Sequence, residues 1–343
     1  MLALPEVFRR WIFSLANLHP SGNVVSTYGR AYQTAALVDV RISALALPQP
    51  CNYEGARQIC DNLGMNQSQP QAVEVLLHTA FYKFAVLTDA DAVVTRLREL
   101  THGLLGSILV ADEGINGVLA GTKVAVDTFE QALRADTVFD GKFADIVFKR
   151  SACHTAPFAR MKVHKKSEIV FLGVDGVDAV SKTGIDVSPE DWRALIAQDD
   201  VVVIDNRNSF EFKLGKFKNA IDPGVDNFRD FPKYIEEHVP QWQADGKRVA
   251  MYCTGGIRCE KTSAWMLDMG VPVYQLGGGV LNYFEKMPDA EKDWEGECFV
   301  FDNRIALDTK LQETDTTLED VYGGVAEWEW RLQRAKRLDE DSE

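Results

Sequence analysis

The chain has 343 residues, 46% hydrophobic and 26% charged, which is longer than one hydrophobic core ordinarily allows and too apolar for a disordered polymer, so two or more globular domains are expected. No stretch approaches the roughly 18 apolar residues of a membrane span, Arg9 and Arg10 interrupt the place of a secretory signal, and six cysteines lack any C-x-x-C pair, so a cytoplasmic protein without a disulfide framework or metal site is expected. The net charge of −14 disfavours general nucleic-acid binding, but residues 285–343 hold 18 acids against 8 bases, whereas Gly141 to Lys166 holds seven bases against Asp145 alone.

In residues 1–72, Leu4, Val7, Phe8, Trp11, Ile12 and Leu15 recur at helical spacing, but beyond Ser21 no period survives and the region ends in a polar run. It reads as a weakly packed N-terminal extension. From Val73 the pattern sharpens into a β-rich run (73–87), a helix (90–103), two strands (104–110 and 115–120), a helix (124–135) and a strand near Asp145 to Lys149. The order βαββαβ predicts a ferredoxin-like α+β domain over 73–173, with two helices on one face of an antiparallel sheet.

Ala111-Asp-Glu-Gly-Ile-Asn-Gly117 joins the two middle strands. Glu113 and Asn116 are candidate substrate contacts there, against the plainer reading that Gly114, Asn116 and Gly117 serve the turn. Alternation through Met161 and Val163 predicts another strand with a basic outer face. Lys149, Arg150, Arg160, Lys162, Lys165 and Lys166 form a candidate phosphate-holding belt, the alternative being a solvated strand face.

Residues 174–187, rich in Gly and Asp, read as a linker. Ser188-Pro189-Glu190-Asp191 is a helix start, with a capping serine and a first-turn proline. Val201 to Ile204 is a β-branched run of the kind buried on both faces of a parallel sheet, and Asp205, Arg207 and Glu211 after it read as a structural ion-pair network. Alternating strands and helices over 188–292 predict a doubly wound α/β domain. Residues 293–343 read as a strand, a loose segment from Thr309 to Asp320, and a helix from Glu327 to Leu338 that either docks or faces RNA.

The most informative stretch is Arg248-Val-Ala-Met-Tyr-Cys253-Thr254-Gly255-Gly256-Ile257-Arg258-Cys259-Glu260-Lys261. It reads as strand, tight loop and helix, with a thiol where open α/β sheets place their ligands. The two glycines let successive amides turn inward, and those amides, the positive end of the helix and Arg258 all favour an anion. Cys253 is therefore the candidate nucleophile or sulfur carrier, held as a thiolate; inert packing is the plainer alternative. Thr254 to Arg258 supply the cradle, Arg258 and Lys261 electrostatic support, and Cys259 is either buried packing or a resolving thiol.

Cys-Thr-Gly-Gly-Ile-Arg-Cys-Glu-Lys at 253–261 resembles the active loop of a rhodanese-type domain and, within that superfamily, the tRNA uridine hydroxylases called TrhO, over residues 73 to 305. Four residues between Cys253 and Arg258 make a smaller ring than the five of thiolate phosphatases. Lys216 stands where rhodanese relatives commonly carry histidine, and the chain lacks the cysteine-rich tail of many TrhO proteins. The resemblance implies a rhodanese-like parallel-sheet domain after the ferredoxin-like one. It also implies oxygen-dependent conversion of the wobble uridine of tRNA to 5-hydroxyuridine through a required cysteine written as a persulfide, with molecular oxygen as co-substrate. tRNA bound through its anticodon region is the implied partner; no cofactor is evident, since no nucleotide fingerprint is present. A sulfurtransferase using the same cysteine and a non-enzymatic redox-sensing module are the alternatives.

Overall fold

Period-two alternation over Leu76–Phe84 (β1) puts Phe81 under two amphipathic helices and leaves His78, Ala80 and Tyr82 on the opposite face. The computed structural model describes residues 75–340, with side chains to 336; what was expected of residues 1–72 lies outside the described residues. After β1 come α1 (Ala90–Leu100), β2 (Leu105–Ala111), β3 (Gly114–Gly121), α2 (Lys123–Ala135) and β4 (Phe148–Cys153), the expected βαββαβ unit. The sheet order is β4-β1-β3-β2, antiparallel throughout, with β5 (Met161–Lys165) added parallel to β2. Asp89 caps α1 by accepting from the Ala92 amide at 2.9 Å, and Thr122 caps α2 from the Ala125 amide at 3.3 Å. Leu97, Ile108, Leu119 and Leu133 are fully buried between helices and sheet, each contributing about 1.5–3 kcal/mol.

Two expectations change here. The strand expected near Asp145 begins at Phe148, because consecutive turns (Ala144 amide to Gly141 carbonyl, Ile146 amide to Phe143 carbonyl) drop Phe143 and Ile146 into the core first. The basic belt is divided. Lys149 and Arg150 lie on β4 at one edge of the sheet, Lys162 and Lys165 on β5 at the other, four strand spacings or about 19 Å away.

The second part consists of β6 (Ile185–Val187), α3 (Pro189–Ile196), β7 (Val201–Asp205), α4 (Ser209–Leu214), β8 (Gly215–Phe217), α5 (Phe231–Ala244), β9 (Arg248–Tyr252), α6 (Ile257–Asp268), β10 (Val273–Leu276) and α7 (Gly279–Lys286). Its parallel sheet has the order β6-β10-β9-β7 and apolar clusters on both faces, the doubly wound arrangement expected. Val202 and Ile204 pack on one side of β7, Val201 and Val203 on the other. The end of the span read as a linker is β6, an edge strand of this sheet. Helix α3 opens as predicted, with Ser188 Oγ accepting from the Asp191 amide at 3.1 Å and Pro189 in the first turn.

β11 (Trp294–Gly296) pairs with β8, and β12 (Cys298–Phe299) with β13 (Ala306–Leu307); α8 (Leu318–Tyr322) and α9 (Glu329–Glu340) follow. The segment from Thr309 to Asp320 is tied down, contrary to expectation. Glu297 accepts from the hydroxyls of Thr314 (2.9 Å) and Thr316 (2.6 Å), Asp308 accepts from the amides of Lys310 (2.8 Å) and Gln312 (2.9 Å), and Thr317 with Asp320 forms a capping box on α8. Trp328, just ahead of α9, docks against Phe210, Phe299 and Tyr322.

Helix α6 runs between the two sheets and is buried on nearly every side. Lys261 on it reaches across to Glu113 at 2.8 Å and Glu168 at 2.5 Å. Glu113 also accepts from the Ile169 amide (2.7 Å), and Asn116 donates to the Ile169 carbonyl (3.0 Å). The loop after β2 thus fastens the segment beyond β5 against the second sheet.

Candidate functional site

Cys253 follows the last residue of β9, and the loop after it is shaped from behind by α7. The Val280 amide donates to the Cys253 carbonyl at 3.0 Å and the Leu281 amide to the Thr254 carbonyl at 3.2 Å. First-turn amides that lack a partner in their own helix thereby draw the loop carbonyls outward and leave its amides facing in. A side chain is excluded at Gly279: its φ is +73°, and a Cβ there would meet the carbonyl oxygens of Cys253 and Thr254 at 2.6 Å. The turn closes at Gly256, with φ +104°, whose amide donates to Cys253 Sγ at 3.1 Å.

Cys253 is 1% exposed, yet it lines the floor of a cleft. Burial pushes its thiol up. The Cys259 thiol, the Arg258 charge and the amides of Cys259 and Gly256 outweigh burial and bring it down to about 5, so a thiolate stands there at neutral pH. Cys259 is held the other way: burial and the neighbouring thiolate keep it protonated, and its S–H donates to Cys253. Of the predicted cradle, the Gly256 amide is the one that reaches the sulfur, joined by the Cys259 amide, while Thr254 turns its hydroxyl to Glu211 at 3.3 Å.

Arg258 makes two bonds of 2.8 Å to Glu211, so its charge supports the thiolate while its geometry is fixed from below. Burial would raise the Glu211 carboxyl, but Arg258, Arg207 and the Asn208 amide hold it below the usual range. Beneath lies the predicted structural network: Arg207 bonds Asp205 at 2.8 and 2.6 Å, and the Tyr252 hydroxyl donates to Asp205 at 2.7 Å, all fully buried. Lys216 pairs with Glu295 at 3.5 Å and is not among the residues lining the cleft.

Three assignments are corrected. Lys261 gives the thiolate no direct contact, because α6 turns it to Glu113 and Glu168 of the first domain. Arg150 is committed to Glu130 and, at 2.9 Å, to Asp127. Lys149 is no surface cation. It crosses the domain boundary and donates to the carbonyls of Gly255 and, at 2.7 Å, Gly278, with burial lowering it to about 8 against the opposing charges of Cys253 and Glu260. Arg160, Lys165 and Lys166 are exposed at the far edge and Lys162 is half-buried there; Lys165 is paired with Asp91 at 2.6 Å.

Tyr82 and Glu260 were missed. The Lys149 ammonium lies 5.7 Å from the centre of the Tyr82 ring, whose hydroxyl a Cβ on Gly256 would meet at 2.8 Å. Burial, then the charges of Glu260 and Cys253, push the phenol above its ordinary range. Burial also raises the Glu260 carboxyl, against a hydrogen bond from Tyr82. The signal for Tyr82 was the alternation of β1, which puts it two residues from Ala80 on the face away from the core. Lys149→Met removes a charge beside the thiolate and the donor to two loop carbonyls, so alkylation of Cys253 by iodoacetamide near pH 6 is expected to slow several-fold; an unchanged rate would show that the ammonium does not support the sulfur.

The cleft, about 1110 Å³, lies between the open face of the first sheet and the active loop. His78 and Arg304 line it away from the loop, Arg304 donating to His78 Nε2 at 3.1 Å and to Asp302 at 2.6 and 2.8 Å. Burial, then Arg304, lowers His78 to about 4, so it is neutral.

Residues 76–169 match the UPF0176 acylphosphatase like domain, and residues 188–286 the rhodanese-like domain. A Legionella pneumophila (strain Paris) protein named tRNA uridine(34) hydroxylase is 42% identical over 252 residues, 72% of this chain and 96% of that one. Proteins of the same name from Nitrobacter winogradskyi and Synechococcus elongatus are 45% and 48% identical, over 68% of this chain and 92% and 85% of theirs. With both domains matched in order and these relatives covered nearly end to end, the chain belongs to the tRNA uridine(34) hydroxylase family.

Proposed function

We propose that this protein is a tRNA-modifying enzyme that hydroxylates the wobble uridine at C5, using molecular oxygen. The observation that carries the reading is a thiolate, Cys253, on the floor of a cleft of about 1110 Å³, which has room for a base taken out of its stack. The name shared by relatives 42–48% identical supports the substrate. Cys253 takes the covalent role, with the amides of Gly256 and Cys259 and the charge of Arg258 stabilising it, while Cys259, kept protonated by burial, supports it as a neighbouring thiol. Arg160, Lys162 and Lys166 attract the backbone of the anticodon stem, with an affinity that falls as salt rises. Replacing C5–H by C5–OH with dioxygen consumes two electrons and two protons as the second oxygen atom becomes water, so an external reductant is required.

Mass analysis of tRNA from cells lacking the gene tests this. 5-Hydroxyuridine is expected to disappear and to return with the wild-type gene; an unchanged level would overturn the assignment. Thiocyanate formation from thiosulfate and cyanide without any effect on tRNA would instead favour the sulfurtransferase reading.

A further inference from the structure

Among the described residues three large aromatic side chains are left half-exposed, and all three stand around one opening. Phe171 is 50% exposed, Phe301 58% and Trp330 48%, and all three line the cleft above Cys253. They come from separate parts of the chain: the segment after β5, the residues after β12, and α9. Apolar rings kept at the surface have a transfer cost that burial elsewhere would have avoided, so a shared opening calls for a ligand that covers them.

Two of the rings have a guanidinium beside them, and the third has an arginine close by in the fold. The Arg258 guanidinium lies 5.8 Å from the centre of the Phe301 ring. The Phe171 ring and Arg229 flank Gly173: a Cβ built there would lie 3.7 Å from the ring and 3.9 Å from the Arg229 Cβ. Trp330 has the Arg331 guanidinium 4.6 Å from its ring centre and Arg334 four residues on, hence on the same helix face. Arg229 and Arg334 are exposed and line the same opening. A protein-docking patch would be a continuous apolar surface with charge at its margin. Rings separated by guanidinium groups instead match a strand whose flat bases alternate with phosphates.

We propose that the mouth of the cleft is a single-stranded RNA subsite, in which Phe171, Phe301 and Trp330 stack the unpaired bases flanking the target uridine while Arg229 and Arg334 hold the phosphates between them. The inference rests on the tRNA reading above and adds how the loop is gripped. Phe301, whose ring lies beside the Arg258 that supports the thiolate, takes the base adjoining the one that enters. Bases stack on rings regardless of identity, so this grip selects an unpaired loop over a duplex and is tolerant of sequence.

The test is fluorescence anisotropy of the full chain with a labelled short oligouridylate and with a blunt RNA duplex. Phe301→Leu keeps apolar contact with Phe210 and Phe299 and removes the stacking surface; Trp330→Leu does the same on α9. Each is expected to weaken oligouridylate binding about tenfold with little change for the duplex, and Arg334→Gln to flatten the salt dependence. Unchanged circular dichroism and unchanged Cys253 alkylation would show that the variants are folded. If the wild type binds the single strand and both Leu variants bind it equally well, the stacking subsite is wrong and the tRNA reading stands. If the wild type binds neither RNA, the subsite is wrong as well, and the 5-hydroxyuridine level in cells lacking the gene decides the tRNA reading separately.

Discussion

Cys253→Ser is expected to lower 5-hydroxyuridine formation on the order of 10³-fold or more, because a serine hydroxyl has neither the nucleophilicity nor the negative charge for which the loop is built. The same loop makes a second prediction that needs no substrate. Alkylation of Cys253 is expected to rise with pH around about 5 and to be flat from there through neutrality. A midpoint in the ordinary thiol range would mean that burial wins over the Cys259 thiol, Arg258 and the amides, and the thiolate account would fail.

Stability follows with a definite sign. The folded thiol sits well below its unfolded value, so between about 5 and the ordinary thiol range the unfolded chain holds a proton that the folded one lacks. Stability therefore rises with pH across that window. The thiolate's contribution is complete above the unfolded value and is lost as pH falls through the folded one. Cys259, kept protonated, adds nothing to the slope in that window. Urea unfolding at several pH values is expected to show this rise in the wild type and a flatter profile in Cys253→Ser.

Features set within a few residues could be read from the chain. Ser188 and Pro189 start a helix because capping is local, β1 alternates because a strand has two faces, and Gly255 and Gly256 announce a turn that folds amides inward. Strand order is not local. Lys149 and Lys165 are close in sequence and lie at opposite edges of one sheet, since β5 pairs with β2 and β4 with β1. Nothing in the spacing of the cations carries that information, and the single belt was drawn where two edges exist.

Lys261 shows the same limit on a helix. It stands three residues from Arg258 and so belongs near the loop by helical spacing, but its partner Glu113 is 148 residues away in the chain. Because α6 is enclosed by both domains, its sequence shows no polar face to mark where solvent begins. Tyr82, and the place of Lys149 at the loop rather than on the surface, escape the sequence for the converse reason. Both residues belong to the small domain and complete a site that the sequence places wholly in the large one.

Glu211→Ala is expected to be the most damaging change that leaves the cysteine in place. The carboxylate is fully buried and takes both Arg258 bonds at 2.8 Å, the Thr254 hydroxyl at 3.3 Å and the Asn208 amide at 3.1 Å, the last closing the capping box of α4. Without it the Arg258 guanidinium remains buried without its counter-charge, a situation that costs about 3–5 kcal/mol. A fall in the thermal midpoint on the order of 10 °C follows. The Asp205–Arg207 pair beneath is untouched, so the loss reports on the layer that touches the active loop. Glu211→Gln keeps a hydrogen-bond acceptor and loses the charge, and is expected to fall between the two. The pH dependence checks the cause. The Glu211 carboxyl is held below its usual range, so its contribution is present above the ordinary carboxylate value and is lost as pH falls through the depressed one. The gap in stability between wild type and Glu211→Ala is therefore expected to narrow in acid. A gap constant from neutrality down to acid unfolding would assign the loss to packing alone and would remove Glu211 from the electrostatic support of the thiolate.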